Sequence, residues 1–132
     1  DVYKRQDLFI EGKTKYTPTE LAQIIADDSR PIFVATDTDS TLLGYAFCMD
    51  ENHAGANNLQ PVRTLYIDDI CVDERARGKH VGTELYDHVL DYARAHGYHN
   101  VTLNAWAANP AAVKFYESLG MSVYRYGMEQ IL

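Results

Sequence analysis

The chain has 132 residues, a length that fits one domain able to bury its own core without disulfides or a structural metal. With 46% hydrophobic residues, 23% charged residues and a formal charge of −7, it has an ordinary globular composition. The acidic balance argues against a general nucleic-acid surface and favours a cationic substrate. No apolar run is long enough to span a bilayer and no secretory hydrophobic region is present, so the expectation is a cytoplasmic protein with no membrane partner.

The first six residues, "DVYKRQ", belong to no periodic pattern and are set aside as a segment that need not be native. Thr17-Pro18-Thr19-Glu20 predicts a helix start, with Thr17 capping, Pro18 first and Glu20 third. Leu21, Ile24 and Ile25 give that helix an apolar face. "PIFVAT" (31–36) and "LLGYAFCM" (42–49) flank the turn residues "DTDST" and predict a β-hairpin. A polar loop then leads to "VRTLYIDDICV" (62–72), a long strand.

Val81, Leu85, Val89, Leu90 and Ala93 fall at helical spacing, and Gly97 can end that helix. "HNVTLNAW" (99–106) predicts a further strand. Asn109-Pro110 caps and begins the next helix, with Ala112, Val113, Tyr116 and Leu119 on its apolar face and Gly120 at its end. "MSVYRYGMEQIL" predicts one or two final strands. The order α-β-β-β-α-β-α-β implies a single α/β domain over 1–132, a mixed, mostly antiparallel sheet flanked by helices.

The long strand is apolar on both faces, as a central strand is. Strict alternation sends Leu65, Ile67 and Cys71 one way, and Tyr66, Ile70 and Val72 the other. Asp68 and Asp69 interrupt it. A buried ionised carboxylate is costly unless paired or wet, so this point demands a cleft, a polar partner or a raised pKa, unless one or both acids simply cap a bulge or pair with an arginine. Cys48 and Cys71, the only cysteines, sit in apolar runs without a CxxC pair and are expected as small buried side chains. The histidines form neither HxH nor HExxH, so no metal is implied.

After that strand comes "DERARGKHVGT", with Arg75, Arg77 and Lys79 within five positions ahead of an amphipathic helix. A strand, a glycine-marked loop and a helix N-terminus form an anion-binding arrangement. Neither GxxxxGK[ST] nor GxGxxG is present.

This ordering resembles the GNAT N-acetyltransferase superfamily, whose pyrophosphate loop reads [Q/R]-x-x-G-x-[G/A]. Arg77, Gly78, Lys79, His80, Val81 and Gly82 fill its six positions, with His80 in place of the middle glycine. "NPAAVKFYESLGM" resembles the family's N-x-x-A-x-x-F-Y-E-x-L-G-[FM] segment at Asn109, Ala112, Phe115, Tyr116, Glu117, Leu119 and Gly120. The resemblance runs from about Pro31 onward. It implies the acyl-CoA N-acyltransferase fold, with central strands splayed where they end near Val72 and Trp106. By the same comparison, the family's first strand and helix are expected to be missing ahead of this region.

The resemblance also implies function. Acetyl-CoA is the cosubstrate, and N–H groups from Arg77, Gly78, Lys79, His80, Val81, Gly82 and Thr83 hold its pyrophosphate. Backbone at Cys71 and Val72 binds the pantetheine arm, and Asn109 binds the cofactor arm. A primary amine of a small, cationic acceptor attacks the thioester directly. Tyr116 stands at the general-acid position. "LYIDDICV" resembles the L-Y-[IL]-E-D-x-x-V strand of polyamine and thialysine acetyltransferases, which makes Asp68 the base, working through water, and has Asp69 orient the amine. A homodimer is compatible with the fold. The alternatives are a GNAT-like module that binds or senses acyl-CoA without catalysis, favoured by His80, and an unrelated nucleotide-phosphate binder.

Overall fold

The computed structural model describes residues 8, 14–52, 57–58 and 60–132. The segment 1–6 and part of the loop 50–61 lie outside the described residues. The chain forms two compact units, one of residues 13–104 and one containing residues 105–132.

The larger unit begins with helix α1 (Pro18–Ile25). Thr17 Oγ1 accepts from the Glu20 N–H at 3.2 Å while the Glu20 carboxylate accepts from the Thr17 N–H at 3.1 Å, closing the expected capping box. Ile24 is buried, but Ile25 is exposed because the helix ends there. Four strands follow as one sheet: β1 (Ile32–Thr36), β2 (Leu42–Asn52), β3 (Arg63–Val72) and β4 (Asn100–Leu103), in spatial order β1-β2-β3-β4. The first three pair antiparallel and β4 lies parallel to β3, so the sheet is mixed and mostly antiparallel as expected.

Helix α2 (Val81–Ala95) connects β3 to β4 and packs on one sheet face. Val81, Leu85, Val89 and Ala93 recur every fourth position and are all buried; Val81 and Leu85 cluster with Ala76, and Phe33, Ala35, Leu43, Ile70 and Val72 pack against them. Complete burial of a side chain the size of Leu85 or Val89 contributes about 1.5–3 kcal/mol. At Gly44 both neighbours crowd the backbone: a Cβ would sit 2.8 Å from the Cys71 carbonyl oxygen of β3 and 3.0 Å from Leu85 Cδ1 of α2. At its end Gly97 has φ +75°, and Tyr98 N–H donates to the Ala93 carbonyl at 3.0 Å, the Schellman closure of a helix C-terminus.

The pairing of β2 with β3 corrects the alternation expected for β3. Phe47 stands opposite Asp69 and Cys48 opposite Ile67, so Asp68 is an extra residue, a β-bulge. Beyond it the parity reverses. Ile70 and Val72, opposite Ala46 and Gly44, join Leu65 and Ile67 on the α2 face. Asp69 and Cys71, opposite Phe47 and Tyr45, turn to the other face with Tyr66. Cys48 is buried as expected, but Cys71 is exposed. The bulge also explains why β4 is shorter than the predicted 99–106, since its ladder with β3 stops at Ile67–Leu103, just before Asp68.

In the smaller unit, helix α3 (Pro110–Ser118) is capped by Asn109, whose Oδ1 accepts from the Ala112 N–H at 3.3 Å. Ala112, Val113, Tyr116 and Leu119 are its least exposed positions, as expected. Gly120, at φ +106°, ends it, with Met121 N–H donating to the Tyr116 carbonyl at 3.1 Å. The final strands are not formed, and residues 122–132 are exposed and without regular structure. Their V-Y-R-Y alternation suits a strand, but a strand exists only where a neighbouring backbone completes its ladder, and none does so among the described residues.

Candidate active site

The site is built on the last third of β3 and the loop after it. Parallel pairing with β4 ends at Ile67 while β3 runs on to Val72, so the backbone from Asp68 to Val72 has no ladder partner on the β4 side among the described residues. This edge coincides with the expected opening beside β3. It carries Cys71 and Val72, the predicted pantetheine-binding positions.

Asp68 is heavily partnered. Its side chain is only 12% exposed, and Lys15 Nζ lies 3.0 Å from Oδ1. The same ammonium donates to the Asp68 carbonyl at 3.0 Å, satisfying a backbone group that the bulge takes out of the ladder. Tyr16 donates its hydroxyl to Oδ2 and receives a bond from Arg30 Nη2 at 3.2 Å. Arg30 Nη2 itself is 4.0 Å from Oδ2. Burial alone would lower the Lys15 pKa, but the hydrogen bond and charge of Asp68 outweigh it and raise the value. Tyr16 is also raised, by burial and then by Asp68. Burial, and then the Asp68 charge, pushes the Cys48 thiol up to about 12, which keeps it protonated.

Asp69 faces a different environment. Among the described residues its side-chain partner is the Tyr45 hydroxyl, 3.3 Å from Oδ2. Burial, then Asp69 and Cys71, raise the Tyr45 pKa, so its phenol remains a donor across the working pH range. The Tyr45 ring lies 5.0 Å from that of Phe47, and Phe47 in turn stacks with Tyr16 at 6.2 Å.

Past Val72 the chain makes a short 3₁₀ turn, Glu74–Ala76, capped by Asp73. Asp73 also holds Arg75 through both oxygens, at 3.1 and 3.2 Å, which partly neutralises the first of the three loop cations. Arg77 and Lys79 are exposed. Their N–H groups donate to the Glu74 and Ala76 carbonyls, both at 3.3 Å, so of the predicted pyrophosphate donors these two are already engaged. Gly78 has φ +83° and His80 has φ +62°, two left-handed residues on either side of Lys79. His80 occupies the N-cap of α2 without a side-chain capping bond. The first-turn N–H groups of Val81, Gly82 and Thr83 have no acceptor within the helix, and they are the natural anion donors of this loop.

Tyr116 and Asn109 belong to the smaller unit, on α3 and at its cap. Tyr116 is half-buried with its ring edge-to-face with Phe115 at 5.4 Å. Sequence reasoning missed Lys15, Tyr16, Arg30 and Tyr45. All four meet the aspartates through distant pairings, and no local spacing announces them.

This geometry has relatives. Residues 3–121 match the model of the Acetyltransferase (GNAT) family, and the chain belongs to that family. It is 27% identical over 118 residues to a Methanocaldococcus jannaschii protein named uncharacterized N-acetyltransferase MJ1207, a match covering 89% of this chain and 50% of that protein. It is 32% identical over 95 residues to N-alpha-acetyltransferase 30 of Schizosaccharomyces pombe, covering 70% of this chain and 58% of that one. The chain thus spans about half the length of these curated relatives. The crystal structure of a mutant of the BH1408 protein from Bacillus halodurans superposes with a TM-score of 0.93 at 27% identity, covering 99% of this chain and 83% of that one.

Proposed function

We propose that this protein transfers the acetyl group of acetyl-CoA to a primary amine of a small, cationic acceptor. The observation that carries the reading is the continuity of the β3 edge that β4 leaves unpaired, Asp68 to Val72, with a left-handed loop and a helix N-terminus lacking a side-chain cap. An extended acyl-pantetheine arm can pair with such an edge while its pyrophosphate meets the N–H groups of Val81, Gly82 and Thr83. Gly78 supplies the turn, and Arg77 and Lys79 supply positive charge around it. Asn109, whose Oδ1 caps α3, keeps its amide N–H₂ for the cofactor arm.

In the reaction the acceptor nitrogen attacks the thioester carbon, the C–S bond breaks and the amide forms. An N–H of the β3 edge near Cys71 polarises the thioester carbonyl. The acceptor ammonium must first lose a proton, and the departing thiolate must gain one. Asp68 takes the first through water. Lys15 and Tyr16 hold it, and a carboxylate with four lone-pair sites retains room for that water. Asp69 orients the amine. Tyr116 gives its proton to the thiolate and regains one from the second proton that the nitrogen sheds as the amide forms. Replacing Tyr116 with Phe is therefore expected to lower kcat about 100-fold while the acetyl-CoA Kd changes less than threefold. An unchanged kcat would remove Tyr116 from the chemistry.

Two other readings compete. A module that binds acyl-CoA without catalysis is favoured by the left-handed His80, and binding without CoA release from any amine would establish it. The α-amine of a peptide is the acceptor suggested by the name of the fission-yeast relative, so peptide N-termini belong beside diamines in the acceptor panel.

A further inference from the structure

Two adjacent aspartates on β3 each receive a tyrosine hydroxyl, but only one receives a cation. Asp68 has Tyr16 and the Lys15 ammonium, with Arg30 at 4.0 Å. Asp69 has Tyr45, and among the described residues it forms no ion pair. The bulge at Asp68 produces this division, since it turns Asp69 to the face of Tyr45 and Phe47 and away from α2.

We propose that Tyr45 is a positioning residue for cationic acceptors: its hydroxyl orients the Asp69 carboxylate, and Asp69 orients the acceptor by receiving the ammonium group that is not acetylated. This rests on the acetyltransferase reading and names the residue that confers its charge preference. Three observations support it. The Tyr45 ring is held against Phe47, which stacks with Tyr16, so the hydroxyl is presented from a fixed ring. The Tyr45 hydroxyl lies 3.3 Å from Asp69 Oδ2, one oxygen of a carboxylate that can accept at both. The carboxylate lies on the stretch of β3 that β4 leaves unpaired, where the thioester is expected. The other groups acting on this pair are the Cys71 thiol, which faces Tyr45 from β3, and the Lys15 ammonium, which the Asp69 charge also reaches. Lys15 is bonded to Asp68, so among the described residues Asp69 is the aspartate of the pair without an ion-pair partner.

The test is calorimetric titration, in the presence of CoA, of 1,4-diaminobutane and of 4-aminobutan-1-ol, which keeps the chain length but replaces one ammonium with a hydroxyl. Wild-type protein is expected to favour the diamine. Tyr45→Phe should weaken the diamine about fivefold and the amino alcohol less than twofold, because one hydrogen bond to a charged group is lost. Asp69→Asn should abolish the preference, and Tyr45→Phe added to Asp69→Asn should change nothing further. A purely structural tyrosine would weaken both ligands alike, and its effect would multiply with that of Asp69→Asn. Either result overturns the proposal, as does failure of the diamine to bind wild-type protein. Because the readout is binding, absence of CoA release from any amine would count against the acetyltransferase reading and leave this test standing.

Discussion

His80 opens α2 in a left-handed conformation that a β-carbon disfavours by about 1–2 kcal/mol. It is exposed and makes no capping bond that would compensate. The family pattern has glycine here, and a residue at positive φ is what that glycine serves. His80→Gly removes the strain but loosens the unfolded chain by about 0.5–1 kcal/mol, so the net gain is about 0.5 kcal/mol and Tm should rise about 2 °C. The larger effect is expected at the pyrophosphate. Without the side chain the backbone N–H groups come closer to the anion, and acetyl-CoA should bind several-fold tighter by calorimetry. Equal affinity in both proteins would mean that the ring already clears the phosphate. At this scale the sequence reveals identity but not conformation. The His80 substitution is visible in "RGKHVG", while its φ of +62° is seen only in the structure.

At the scale of elements, helix ends were legible because their signals are local. Thr17 with Glu20, Gly97, and Asn109 with Gly120 each act within one turn of their own position. A bulge in β3 was one of the ways to seat the two acids, but its register was not legible, because an extra residue in one strand shows only against its partner. Its consequences are large: it exchanges the faces of Ile70, Cys71 and Val72 and shortens the ladder to β4. Lys15 and Tyr16 tie the segment before α1 to this bulge through Asp68. Asp68→Asn should therefore weaken that tie, lowering stability by about 1–2 kcal/mol, a modest cost because the Lys15 side chain is 50% exposed. Trypsin should then cleave after Lys15 faster than in wild type. Unchanged melting and unchanged cleavage would show that the contact contributes nothing to the fold.

For the whole molecule, the order of elements and the two separated motifs were enough to indicate the family, since the matched region 3–121 takes in both. The last residues were read wrongly because their pairing partner cannot be found in their own sequence. The formal charge of −7 and an Asp69 that forms no ion pair among the described residues both favour a cationic acceptor. The central claim is catalytic transfer, and release of free CoA thiol tests it most directly. The protein is incubated with acetyl-CoA and a panel of diamines, amino acids, aminoglycosides and peptides with free N-termini. Thiol release that depends on the amine, saturates with it and is greatest for a cationic small molecule is the expected result. No amine-dependent release from any member of the panel, while acetyl-CoA still binds, would contradict it.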